Sequence, residues 1–279
     1  MSSTIRSLRI AAAASLAIGG VPALSAQASM TPPAMVNAVC ETVRAGMGPA
    51  HDKHEESWAR AGEAVKGSAS TLALQSVTGP AVSCWLTVAA SYADIGKNND
   101  LSTNDPAYSK LLPSLVADDG KYISDARSYI AVLRPEMSAG EMPNVLTRRF
   151  TTWDEWRVRF GTEAMFIAAV KAYRAASIRA GANPEFRTYE VVQGASSTTY
   201  WMFSSTSTMA GFDAAMAGDD NTGAGFTADD HKILDEAAAK SVVSRVSNIW
   251  AYNSALSGLT AEQRGSDPFW KRKALPAKP

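Results

Sequence analysis

The feature that most constrains this chain is an internal repetition. Val43-Arg44-Ala45-Gly46 matches Val158-Arg159-Phe160-Gly161 at an offset of 115 residues. At the same offset Trp58 meets Tyr173, Ala61 meets Ala176, Gly79 meets Gly194 and Trp85 meets Tyr200. Further along the offset becomes 119: Leu115 meets Leu234, Lys121 meets Lys240, Ser128 meets Ser247, Ile130 meets Ile249 and Ser138 meets Ser257. The change falls where loop residues cluster, Gly96 to Asp100 in one copy and Gly218 to Gly223 in the other. Insertions belong in loops, so the pattern is that of one folding unit used twice.

The order of predicted elements repeats as well. In the second copy, residues 150–159 are strand-like. A helix over 163–180 carries Phe166, Ile167, Val170, Tyr173 and Ile178 and stops at Gly181. Strands 186–192 and 198–203 form a hairpin about Gly194. Ser207 caps a short helix through Met216. Thr227 and Asp230 open a helix over 228–246 with a capping-box pattern, and strand 248–252 closes the copy. The first copy has strand 35–44, helix 51–67, strands 71–78 and 83–90, a helical region over 106–126 started by Asp105-Pro106, and strand 128–133. Each copy is βαββαβ. Such a unit forms a four-stranded antiparallel sheet with both helices on one face. The other face is bare, and each apolar side chain buried there contributes ~1.5–3 kcal/mol, so it must find a cover. The predicted class is α+β: two tandem ferredoxin-like repeats packed sheet to sheet as a pseudo-dimeric α+β barrel, monomeric as a chain. The segments are a leader at 1–28, repeats at 29–138 and 150–257, a linker at 139–149 and a tail at 258–279.

Arg157 to Phe166 resembles the strand-turn-helix opening of the dimeric α+β barrel superfamily, and Tyr189 to Gly194 with Tyr200 to Phe203 is similar to its hairpin. That superfamily includes antibiotic-biosynthesis monooxygenase-like and NIPSNAP-like proteins, with chlorite dismutase-like haem proteins as a fused version. The resemblance spans roughly residues 30–257 at the level of layout. It implies a small-molecule cavity between the sheets, sometimes enzymatic and often without a metal.

Strand alternation sorts the faces. The more aliphatic sets, with Cys84, Leu86 and Val88 among them, are assigned to the helix-covered core. The amphipathic aromatics Trp85, Tyr129, Tyr200, Trp250 and Tyr252 are then expected between the sheets. There they line a ligand pocket or simply pack the interface. Asn37, Glu41 and Arg157 are the polar candidates beside that space; exposed strand-end charge is their alternative. Cys40 and Cys84 fall on neighbouring strands, on the face assigned to the helices, and form either a cross-strand disulfide or two buried thiols.

His51 and His54 lie three apart at a helix start, with Asp52, Glu55 and Glu56 nearby. The spacing supplies two ligands of a metal set; the alternative is a solvated first turn. His231 falls in an acidic, exposed turn, which speaks against a haem ligand. No nucleophile elbow, phosphate loop or HExxH motif is present. No cofactor or metal is expected.

Arg6, Arg9, the apolar run Ile10–Ile18 and Ala26-Gln27-Ala28 read as a secretory leader cleaved after Ala28. The expected address is the periplasm or the exterior, where a disulfide is permitted. The chain has 27 basic and 27 acidic residues, which argues against a nucleic-acid partner. Past the leader no apolar run is long enough to span a membrane. The expected function is binding of a small apolar or aromatic molecule between the sheets. The alternative is a cofactor-independent monooxygenase-like enzyme acting on a phenolic or quinol substrate through Asn37, Glu41 or Arg157. A filled barrel with no pocket is the structural alternative.

Overall fold

The computed structural model of the chain describes residues 32–213, 216 and 223–272. The leader at 1–28 and the last residues of the tail lie outside them. Among the described residues the main elements follow the order β1 (Met35–Val43), α1 (Gly48–Ala64), β2 (Thr71–Ser76), β3 (Val82–Ala89), α2 (Tyr92–Asn104), α3 (Pro106–Tyr122), β4 (Ile123–Leu133), β5 (Phe150–Val158), α4 (Glu163–Arg179), β6 (Arg187–Gln193), β7 (Thr199–Thr206), α5 (Ala228–Lys240), β8 (Val242–Gly258) and α6 (Ala261–Gly265). The fold is mixed α+β. The strand pairings β1–β3, β3–β2, β2–β8, β5–β7 and β7–β6 are all antiparallel. The chain divides into two compact units with boundaries inside β4 and β8. The first comprises Pro33–Ala131 and the segment from Trp250; the second comprises Val132–Ile249. No helix among the described residues is long and apolar enough to cross a membrane.

One strand and one helix of the two units correspond in position. β1 and α1 recur as β5 and α4 with every bound shifted by 115 residues (35 to 150, 43 to 158, 48 to 163, 64 to 179). Gly46 and Gly161 make the strand-to-helix turn of each pair at φ of +80° and +83°. Only glycine adopts that conformation without strain.

In the second unit, β5 pairs with β7 and β7 with β6. The even residues Trp156, Val158, Tyr200 and Met202 face the helices. They pack on Phe166, Ala169, Val170 and Tyr173 of α4 and on Leu234 and Ala237 of α5. Phe166 stacks on Tyr200 at 5.1 Å and meets Trp156 at 5.6 Å between ring centres. Asp154, on the same face and buried, is held by the Arg245 guanidinium at 2.8 Å.

In the first unit β1 pairs with β3, β3 with β2, and β2 with the C-terminal half of β8. Cys40 opposes Cys84, and the two are joined by a disulfide. Val39 opposes Trp85 and Glu41 opposes Ser83 on the other face. That face lies under α1, because Trp85 meets the His51 ring and Glu41 bonds His51. The helix-facing assignment of Cys40 and Cys84 is therefore corrected: the cystine looks away from α1, and Trp85 looks toward it. The alternation on β3 is clear, but the expectation that the more aliphatic set lies under the helix fails: the set with Ser83, Trp85 and Thr87 faces α1, together with Glu41 of β1.

Three elements differ from expectation. Helix α2 stands where a loop was expected. It buries no residue and is specified only by its cap, the Ser91 hydroxyl accepting from the Asp94 amide, so apolar periodicity gives no sign of it. Helix α5 ends at Lys240 instead of 246, and β8 runs 17 residues instead of five. Val242 and Val246 sit four apart and mimic a helical face, but they belong to a β-branched run that favours extension. The described part of the tail is docked: Trp270 is fully buried, and Arg264 and Arg272 both bind Glu63 of α1.

Replacing both Cys40 and Cys84 by Ala is expected to lower stability by ~2–4 kcal/mol, from the freed loop between them. The urea midpoint should fall while the slope of the transition shows the less constrained unfolded chain. Trp270→Ala should cost ~3–5 kcal/mol through the cavity it leaves.

Candidate functional site

Helix α1 begins after the Gly46 turn, with Pro49 in its first turn. Residues three and four apart share a helix face. His51, Glu55 and Ala59 accordingly point at the sheet, and all three are buried. His54 and Trp58 form an adjacent stripe that meets α3. His54 Nε2 lies 2.7 Å from Asp119 Oδ1, and the Trp58 indole N–H donates to Asp119 at 3.2 Å. The start of α1 is therefore solvated on one side only: Pro49, Ala50 and Lys53 are exposed, whereas His51 and Glu55 are buried and His54 is half-buried.

Beneath α1 the small residues Ala59 and Gly62 leave the sheet uncovered. A cavity of about 700 Å³ opens there, within the first unit. Trp58, Trp85 and Tyr108 form its aromatic walls, and Glu41, Glu55 and Asp119 cluster in its polar part. The Trp85 indole is fixed by donating to the Leu256 carbonyl at 3.3 Å. Leu256 lies in an irregular stretch of β8, where the pairing to β2 shifts between Thr71 and Ala73. The Asn253 side chain there accepts from the amides of Ala255 and Leu256. Glu63 lines the cavity from the last turn of α1 and anchors the tail through Arg264 Nε at 2.8 Å and Arg272 Nη2 at 2.9 Å.

The electrostatics centre on Glu55. It is 5% exposed, yet its carboxylate makes no hydrogen bond or ion pair with the described residues. Burial and the Glu41 charge push its pKa up to about 8, against the opposing pull of His51. His51 is fully buried. Burial alone would lower its pKa, but contacts with Asp52 and Glu41 and the Glu55 charge outweigh that and raise it to about 9. His51 Nε2 lies 3.1 Å from Glu41 Oε2. Its Nδ1 lies 3.5 Å from Asp52 Oδ1, without hydrogen-bond geometry. Gln75 donates to Asp52 at 2.7 Å and accepts from Asn253 at 2.7 Å, so Asp52 is itself held in place.

Of the residues singled out in the sequence, the structure brings Trp85 and Glu41 to this cavity. Asn37 shares their face, opposite Thr87, but lies outside the lining. Tyr200 is corrected: it faces α4 and packs in the second unit's core, one residue out of the expected parity. Trp250 and Tyr252 pair with Ser76 and Leu74, which puts them on the cystine side, away from α1. Tyr129 is half-buried on β4 beside Arg127. Arg157 is exposed and donates to Ser197 at 3.2 Å. His231 is half-buried against Phe226. Glu55, Trp58, Tyr108 and Asp119 are site residues that the faces of the strands do not reveal. The four-residue spacing of His51 to Glu55 and of His54 to Trp58 was the available signal.

These features define a mixed α+β protein with a half-open cavity in one unit. No family profile matches the sequence, and no curated protein is similar to it. Solved structures similar to it include a candidate monooxygenase from Fusobacterium nucleatum subsp. nucleatum (7% identity, 80% of this chain and 94% of that one, TM-score 0.49). An anthrone oxidase-like protein (12%, 81% and 95%, 0.47) is another. A third is chlorite dismutase from Candidatus Nitrospira defluvii in complex with imidazole (7%, 81% and 95%, 0.47). At such identities no side chain of theirs maps onto this site, and the chemistry rests on this chain's own residues.

Glu63→Ala leaves two largely buried guanidinium groups without their carboxylate and should cost about 3 kcal/mol. Limited proteolysis should then cut the tail beyond Gly258 at enzyme levels that leave the parent chain intact.

Proposed function

We propose that the first unit binds a small amphipathic organic molecule, aromatic in its body, in the cavity under α1. The observation that carries this reading is the cavity itself. Its volume of about 700 Å³ falls in the range of ligand sites, and its wall combines apolar rings with a few convergent polar groups. Glu41 and Asp119 are acceptors when ionised, so the favoured ligand carries a hydrogen-bond donor, such as a phenol or an amine. The two units are best taken as tandem copies of one βαββαβ element, a reading supported by the 115-residue recurrence of strand, glycine turn and helix. Export is part of the same proposal, supported by the leader pattern and by the Cys40–Cys84 disulfide, which persists in an oxidising compartment.

A second reading keeps the same ligand and adds chemistry: oxygen-dependent oxidation of a phenol to a quinone, one oxygen atom entering the ring and the other leaving as water. The placement of Glu41 in the cavity wall favours it, because it sets a proton acceptor beside the ring. It requires that a bound phenol consume oxygen.

Titration with a panel of phenols and aromatic amines should quench the fluorescence of Trp58 and Trp85 saturably. Trp85→Leu should weaken the tightest member at least tenfold, about 1.4 kcal/mol. Absence of saturable quenching across the panel would remove the binding reading. Binding without oxygen uptake would remove the oxidative one alone.

A further inference from the structure

The residues 115 positions before the core trio of the second unit are not its chemical equivalents. Trp156, Phe166 and Val170 are buried under α4 and close on one another. At the matching places of β1 and α1 stand Glu41, His51 and Glu55. Three apolar residues are replaced by three metal-ligating ones, all on the face between helix and sheet. One donor atom from each lies within 4.8 Å of the others. We infer that Glu41, His51 and Glu55 form a site for a divalent first-row transition metal ion, open toward the cavity. The inference is independent of which organic molecule the cavity takes.

Three observations support it. Glu55 is nine-tenths buried and lines the cavity with no protein partner, an arrangement that a bound cation would complete. The donor set is one imidazole and two carboxylates, and imidazole with oxygen ligands suits borderline divalent metals. Their two negative charges match the ion's charge. Asp52, pinned by Gln75, stands behind His51 Nδ1 on the side away from Glu41. At 3.5 Å it is one small ring rotation from accepting the Nδ1 proton, the outer-shell contact that would hold the other nitrogen toward a metal.

The geometry needs little adjustment. A tetrahedral ion with bonds of ~2.0–2.1 Å holds its ligand atoms roughly 3.3 Å apart. His51 Nε2 and Glu41 Oε2 are already at 3.1 Å, and a rotation of the Glu55 side chain closes the set. Three protein ligands leave the fourth position, on the cavity side, for water or an oxygen of the cavity's ligand. The neighbouring group of His54, Glu55 and Asp119 also lies within 4.8 Å, but its His54 Nε2 and Asp119 carboxylate already share the Trp58 indole N–H. The favoured trio is therefore the deeper one.

Chelator-stripped full-length protein should be titrated with Co²⁺, read by its visible d–d absorption, and then with Zn²⁺ as competitor. The expected result is saturable 1:1 Co²⁺ binding that Zn²⁺ displaces. Glu55→Gln preserves shape and removes a ligand; Glu41→Gln does the same at the other side. Each should lose more than the roughly 10–100-fold typical of losing an outer-shell partner, which is the loss expected for Asp52→Asn. His54→Gln should bind within about threefold of the parent, since the site does not use it. Glu55→Gln should also melt at or above the temperature of the metal-free parent, because it removes a buried unpaired acid. No Co²⁺ spectrum with the folded parent, parental affinity in both Gln variants, or loss of binding in His54→Gln would overturn the assignment.

Discussion

A helix that buries a histidine and a glutamate against a β-sheet governs this structure. Helix α1 turns His51 and Glu55 inward and backs them only with Ala59 and Gly62. Helix α4, at the equivalent place in the second unit, turns Phe166, Val170 and Tyr173 inward and closes on Trp156 and Tyr200. Burying those rings contributes several kcal/mol, whereas burying an ionisable pair costs several. The same backbone arrangement thus carries a filled core in one unit and a polar-lined cavity in the other. A local rule broken with such regularity on one face is where function is to be sought.

The cavity follows from that choice and from the strand beneath it. With small residues on α1, nothing fills the volume between helix and sheet. Trp85 remains as a wall because the irregular stretch of β8 turns the Leu256 carbonyl toward its indole nitrogen. Glu63 closes the far side by gathering two arginines from the tail. The last described segment of the chain is therefore part of the cavity's architecture.

How much of this was legible depends on what each signal measures. Helix α4 and the β6–β7 hairpin were plain, since their apolar period and the Gly194 turn agree. The faces of β3 and β7 were not. On β3 the aliphatic set Cys84, Leu86 and Val88 looks away from α1 and Trp85 looks toward it with Ser83 and Thr87, the reverse of what covering the most aliphatic face would give. On β7 both faces are apolar, and Tyr200 and Trp201 are both fully buried. Alternation then carries no sign, and assigning aromatics to one face put Tyr200 on the wrong one. The site itself was half visible. His51, His54, Glu55 and Asp52 stood out as a cluster, but acids near a helix start normally face water, and nothing local shows that this helix turns them inward. Asp119 arrives from α3, 65 residues after His54, a distance no spacing rule spans.

The first unit must recover elsewhere the stability its polar core forgoes, and the location of its staples is informative. The disulfide joins Cys40 to Cys84, each one residue from a site residue, Glu41 on β1 and Trp85 on β3. Because successive side chains alternate, a bridge on one face fixes the register of what the other face presents. The cross-link holds Glu41 and Trp85 toward α1 without occupying any of the space beneath the helix. The Glu63 pairs act at the opposite end in the same way, tying tail to helix at the cavity's edge. Rigid strands, a stapled register and a pinned Asp52 are what a preorganised site requires of its surroundings. They are concentrated in the unit whose core is least able to provide that rigidity by packing.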